Sequence, residues 1–191
     1  PKRVSSALAK DRIAALTSNA AVFRKYADEY GFDWLQLAAQ AYQESRLDND
    51  IVSPAGAVGV MQVLPSTAAA MGVKDFRTLD GNVRAGTRYM RKLAEEFDDG
   101  NIDSMNQWLL ALASYNAGET RIRKLRKRAA ADGLDPNRWF DHVETEVRKS
   151  VGSETVNYVR RVMQYYLAYR LSFDREQLRQ EVLERVREEQ G

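Results

Sequence analysis

The sequence predicts an all-α, or nearly all-α, fold, and three observations carry that prediction. Apolar residues recur at helical spacing along most of the 191 residues, and four prolines and eleven glycines punctuate the pattern. No alternating run demands a large sheet; at most a short hairpin fits between Ile51 and Val63. Hydrophobic residues make up 44% and charged residues 29%, an ordinary globular composition that excludes a disordered chain. No apolar run approaches the roughly 20 residues of a membrane-crossing helix.

The elements follow in order. Ser5 to Ala27 reads as one or two helices with Leu8, Ile13, Leu16, Val22 and Phe23 as the apolar set. Asp33, with Gln36 three residues on, forms a capping box for a helix that reaches Ser45. Asp48 to Gly59 is rich in turn formers and is expected to be loop. Pro65 suits the first turn of a short helix that stops at Gly72. Asp80 is expected to cap a helix to about Phe97, with Val83, Tyr89, Met90 and Leu93 inward. Ser104 is expected to cap the next, through Trp108, Leu109, Leu112 and Ala113, to near Gly118. Ser153 starts a long helix with Val156, Val159, Met163, Tyr166 and Leu167 on one face. The charged tail from Asp174, in which Leu178, Val182 and Val186 repeat, reads as a helix packed lightly on the body. The expected division is therefore 1–173, with 1–30 as a helical lead-in, and a charged C-terminal helix over 174–191.

Charge and residue usage narrow the function classes. The net charge is only +2, yet Arg121, Arg123, Lys124, Arg126, Lys127 and Arg128 crowd one segment. A solvated helix face explains them better than a polyanion site, because the interleaved aromatics that stack on bases are missing, so no nucleic-acid partner is expected. Cysteine is absent, which removes disulfides and thiolate chemistry. His142 is the sole histidine, so no metal site is expected. The chain opens Pro1-Lys2-Arg3, as a processed or excised segment would.

Glu44 is the candidate acid. With Trp34 at zero and about 100° per residue, Ala38, Ala41 and Ser45 fall within about 40°, Leu37 near −60° and Glu44 near −80°. A carboxyl at the edge of an apolar stripe has its charged form disfavoured, which suits a general acid at neutral pH. Alone, such a residue is more often a solvated boundary glutamate. Three further islands bear on it: Ser53-Pro54-Ala55-Gly56-Ala57-Val58-Gly59-Val60-Met61-Gln62, Ala113-Ser114-Tyr115-Asn116-Ala117-Gly118 and Glu154-Thr155-Val156-Asn157-Tyr158-Val159. Each by itself is explained by turn chemistry, a core tyrosine at a helix end or a helix start.

Together and in this order, Glu44-Ser45, Gly59-Val60-Met61-Gln62, Tyr115-Asn116-Ala117-Gly118 and Glu154-Thr155-x-x-Tyr158-Val159 resemble the lytic transglycosylase family. That family's catalytic domain is related to goose-type lysozyme, and the resemblance runs from about Asp33 to Leu171, nearest to the membrane-bound lytic transglycosylase F group. It implies a lysozyme-like helical domain with a substrate groove. Glu44 would be the single catalytic acid/base, and Ser53 a hydroxyl near the acid and the substrate. Met61 and Gln62 would be the groove's floor and a polar contact, and Tyr115 and Asn116 would line the cleavage site. Tyr158 would face the carboxyl, with Glu154 supporting the pocket from the helix start. The implied reaction cleaves peptidoglycan glycan strands at the β-1,4 link after N-acetylmuramic acid and leaves a 1,6-anhydro end, with no cofactor. The resemblance also implies a periplasmic or cell-envelope location, an N-terminal solute-binding-like domain in the full-length protein and a peripheral association with the outer membrane.

The chain departs from the family pattern at three places. Asp48-Asn49-Asp50 stands where relatives often carry Asn-Pro, Gly59-Val60 replaces Gly-Leu, and Leu64-Pro65 replaces Met-Pro. The apolar swaps are volume-tolerant, whereas the acidic loop is expected to alter the groove's edge or the acid's pKa. Two alternatives stay open from sequence: a hydrolytic muramidase with Asp48 or Asp50 as base, and a non-catalytic glycan-binding module tethered by the basic segment and tail.

Overall fold

The computed structural model describes residues 16, 18–98 and 100–189, with 177, 178, 180–182 and 184–189 as backbone only. Leu8 and Ile13 of the expected N-terminal helices lie outside the described residues. Helix α1 covers 18–30 and buries Phe23, Tyr26 and Ala27. Helix α2, Trp34–Ser45, starts on the expected capping box: the Asp33 carboxylate accepts from the Leu35 N–H, and the Gln36 side chain accepts from the Asp33 N–H. The loop that follows contains no strand, only the antiparallel bridges Val52–Val58 and Val58–Val63. Helix α3, Pro65–Ala70, opens on its proline.

Two caps differ from expectation by one or two residues. Helix α4, Leu79–Glu95, is capped by Thr78, whose hydroxyl accepts from the Gly81 N–H at 3.0 Å. Asp80 is already helical and does something else. It accepts from the Tyr26 hydroxyl at 2.5 Å and from Lys25 at 2.8 Å, tying α1 to α4. Helix α5, Ser104–Ala117, is capped by Asp103, which accepts from the Asn106 N–H at 2.8 Å. In both cases the extended backbone needed at a cap falls one or two positions earlier than the predicted residue.

Helix α5 is buried on all sides from Trp108 to Ser114, which makes it the centre of the molecule. It packs against α4, against α6 (Glu119–Ala131) and against the long helix α8 (Ser153–Glu189). The basic cluster lies on α6, whose inward face is Ile122, Leu125 and Ala129. Arg123 pairs with Glu96 and Arg128 with Glu146, while Arg126 donates to the Pro136 carbonyl. A kinked segment, Trp139–Val143, in which Phe140 is extended and Asp141 left-handed, leads into α7, Glu144–Val151, and seals Trp139 and Val143 in the core. Periodicity in the sequence did not mark either of these.

The charged tail continues α8 to Glu189 without a break. One member of the face predicted for α8 is misplaced: Leu167 is 48% exposed. Taking Val156 as zero, the buried Val159, Val162 and Tyr169 lie near −60°, −120° and −140°, so the covered face turns away from Val156 along the helix and leaves Leu167, at about +20°, roughly 160° from Tyr169. Helix α8 lies along α2, and Tyr166 and Arg170 both reach Asp33 at 3.1 Å. This pairing sets the frame of the site.

Candidate active site

Helix α2 ends abruptly at Ser45. Arg46, the C-cap, and Leu47 after it both adopt left-handed backbone, with φ of 61° and 67°. Such residues cost energy and persist where their surroundings hold them. Arg46 is held by its guanidinium over the Tyr42 ring and by its bond to the Tyr165 hydroxyl, and Leu47 by burial. The Ser45 hydroxyl lies 2.9 Å from the Val60 carbonyl, so the residue beside Glu44 clamps the next loop to the helix end.

That loop, 51–63, is held from beneath by the buried Asn82 of α4. Its amide donates to the Val58 and Phe76 carbonyls at 2.8 Å each and accepts from the Met61 N–H at 2.8 Å. Two glycines make the close approach workable. A Cβ on Gly59, whose φ is +80°, would stand 2.4 Å from the Asn82 amide, and one on Gly86 would stand 2.7 Å from Met61 Cβ. Met61 is wholly buried, and its carbonyl accepts from the Tyr115 hydroxyl at 2.7 Å. The Gln62 amide donates back to the Gly59 carbonyl at 2.9 Å. The Ser53 hydroxyl accepts from the Ala57 N–H at 3.0 Å, closing its own turn.

Glu44 faces α8 across this frame. The Tyr158 hydroxyl donates to Glu44 Oε1 at 2.5 Å. Burial pushes the Glu44 carboxyl up to about 7, while the Tyr158 hydrogen bond pulls the other way. Burial, reinforced by the nearby Glu44 charge, drives both Tyr158 and Tyr115 well above the ordinary phenol range, so both remain neutral donors. Glu44, Asn116, Glu154 and Tyr158 line one cavity of about 260 Å³.

Three more residues line that cavity: Gln43, Asn157 and Arg161. The sequence carried a signal for two of them. Glu154, Asn157, Tyr158 and Arg161 stand at i, i+3, i+4 and i+7, which is one helix face. Gln40, one turn before Glu44 and wholly buried, also went unmarked. Asp48 and Asp50 are exposed and do not line the cavity, and the Asp48 carboxylate accepts from the Asp50 N–H at 2.9 Å. A larger cavity, about 720 Å³, lies between α1 and α4 among mixed charges such as Glu29, Arg88 and Lys92. Among the described residues no group of three His, Asp or Glu side chains could hold a metal ion.

The family model of the transglycosylase SLT domain matches residues 21–136, more than half of the chain. The chain belongs to this family. Among SLT-domain relatives, it is 37% identical over 158 residues to the membrane-bound lytic murein transglycosylase F of Desulfosudis oleivorans. It is 34% identical over 159 residues to the protein of that name from Shewanella pealeana. These alignments cover 76% of this chain, and the chain spans about a third of either relative, 35% and 33%. In fold it is similar to the 70 kDa soluble lytic transglycosylase Slt70 of Escherichia coli, with a TM-score of 0.56 and 26% identity over 80% of this chain and 24% of that one. An inactive mutant of the lytic transglycosylase Slt from Pseudomonas aeruginosa superposes with a TM-score of 0.62 over 81% of this chain and 24% of that one, at 24% identity. The lysozyme-like helical fold expected from sequence is the fold found.

Proposed function

We propose that this domain is a peptidoglycan lytic transglycosylase with Glu44 as its one acid/base. The observation that carries the proposal is a carboxyl whose pKa is raised to about 7 by burial, braced by Tyr158, with no second acid paired to it among the described residues. Glycosidases that hydrolyse by the usual routes place two carboxyl groups about the scissile bond. Glu154, the other acid of the cavity, sits exposed at the first turn of α8.

In the proposed reaction the Glu44 O–H protonates the glycosidic oxygen between N-acetylmuramic acid and N-acetylglucosamine. The C1–O bond breaks, and the sugar's own 2-acetamido group stabilises the cationic carbon. The Glu44 carboxylate then takes the proton from the muramyl C6 hydroxyl, and O6 bonds to C1 to close the 1,6-anhydro ring. No water is consumed. Because the nucleophile belongs to the substrate, its attack is unimolecular, and well-oriented cases of this kind gain on the order of 7–11 kcal/mol. Ser53, Gln62, Tyr115 and Asn116 complete the groove in this proposal, with the wholly buried Met61 beneath them as its floor, and Glu154 supports it at the start of α8.

The relatives' name, membrane-bound lytic murein transglycosylase F, supports a cell-envelope location, and the proposed murein substrate would put the domain on the periplasmic side. Their greater length leaves room for a solute-binding-like domain and a membrane attachment in the full-length protein. Among the described residues no helix is long and apolar enough to cross a membrane. Mass spectrometry of digested sacculi tests the reaction: anhydro ends, lighter by one water than hydrolysed ends, are expected. Reducing muramic acid ends alone would turn the assignment to a hydrolase.

A further inference from the structure

Arg161 is the cavity residue that the proposed chemistry leaves idle. It is exposed, lines the cavity with Glu44 and Tyr158, and has no ion-pair or hydrogen-bond partner among the described residues. Its neighbours on α8 are otherwise occupied: Arg160 pairs with Glu144 and Arg170 with Asp33. Arg161 occupies the last position of the face Glu154, Asn157, Tyr158, Arg161, one turn beyond the tyrosine that holds the acid. Glu154 ends the same face about 10 Å away along the helix axis. The cavity wall is therefore polar along its length, acidic at one end and basic at the other.

A guanidinium keeps its charge and offers a planar fork of donors that matches a carboxylate. Muramyl residues present such a group, either as a free lactyl carboxylate or, where a peptide is joined to the lactyl group, as the carboxylates of that peptide. Asn157 and Asn116 border the same space and can bond the neutral hydroxyl and acetamido groups of a sugar.

We propose that Arg161 forms a carboxylate-recognising subsite that selects acid-bearing muramyl units and sets the direction of the glycan strand in the groove. This rests on the glycan-cleaving reading of the same site. The subsite acts on binding, one helical turn away from the proton transfer. Neither of the influences that set the Glu44 proton affinity, burial and Tyr158, comes from Arg161.

Calorimetry on the Glu44→Gln protein, which binds without turnover, tests the proposal with three matched muramyl-containing tetrasaccharides. The first has free lactyl carboxyls, the second carries stem peptides, and the third has its lactyl carboxyls capped as uncharged methylamides. A charged form is expected to bind about three- to tenfold more tightly than the capped form, the range of a partly exposed charge-assisted pair. Added Arg161→Gln should bring that ratio to about one while leaving the capped form's affinity in place, and Arg161→Lys should keep part of the preference. Preference for the first glycan assigns the lactyl carboxylate, and preference for the second assigns the peptide. Equal affinities for all three with Arg161 intact overturn the subsite, as does an Arg161→Gln loss of equal size on the capped glycan. Failure of every glycan to bind with Arg161 intact removes the glycan reading itself, and the subsite with it.

Discussion

In the proposed reaction Glu44 serves as the acid because it is poorly solvated, and that same fact has a cost for the fold. Its folded pKa, about 7, stands above the ordinary 4.5. Between those values the native state binds the extra proton, so stability falls as pH rises through this window. Glu44→Gln should abolish activity, by at least about 10²- to 10⁴-fold, the range of a lost general acid. The same variant should unfold at higher temperature than the parent at pH 8, by roughly 2–3 kcal/mol of stability, with the difference vanishing near pH 4.5. Thermal scans at the two pH values check the sign; a penalty that grows towards pH 8 would contradict a buried acid. Activity itself should decline as pH passes 7, because the protonated form starts the reaction. Tyr158→Phe removes the hydrogen bond that lowers the Glu44 pKa, so the alkaline limb should move up by a measurable fraction of a pH unit. Turnover at pH 6 should fall about tenfold as the carboxyl loses its brace.

At the scale of elements, the loop over 51–63 depends on one side chain. Asn82→Ala would strand the Met61 N–H and the Phe76 carbonyl and leave the Val58 carbonyl with the Val63 N–H alone, at about 1–3 kcal/mol for each stranded group that water cannot reach. Chemical denaturation should register a loss of at least about 2 kcal/mol. Proteolysis should find new cleavage within the loop even where the rest of the molecule stays folded. Asn82→Asp keeps the acceptor for Met61 and forfeits the two donations, so it should fall short of restoring the parent. Much of this layer could be read from sequence. The capping box at Asp33, the proline opening α3 and the apolar stripe of α4 are local features. The caps Thr78 and Asp103 were missed because neighbouring Asp80 and Ser104 are equally good cap chemistry. Only the backbone dihedrals choose between them.

Across the whole molecule, the geometry of the site is the geometry of α2 against α8. One carries Glu44, the other Tyr158, and Asp33 fastens them by accepting from Tyr166 and Arg170 while capping α2. Asp33→Ala should cost about 1 kcal/mol through the cap alone, and its effect on activity should exceed its effect on stability, because the two helices lose register. Phe173 packs edge-on against Trp34 at 5.0 Å, and beyond it Arg179 pairs with Glu176 within the same helix. Truncation after residue 173 is therefore expected to preserve cleavage and to move the melting temperature by no more than a few degrees. A truncated chain that fails to fold would assign the distal part of α8 a structural role.

The sequence by itself determined the helical class, the order of the elements up to α5 and the placement of Glu44 at the edge of an apolar face, because these depend on spacing along a single helix. It also held the markers of the family. The degree to which Glu44 is dried and its hydrogen bond to a tyrosine 114 residues away were decided only by tertiary structure. So was the presence of Arg161 in the same cavity, because solvation and charge at a site belong to everything packed around it and not to the residue that bears the proton.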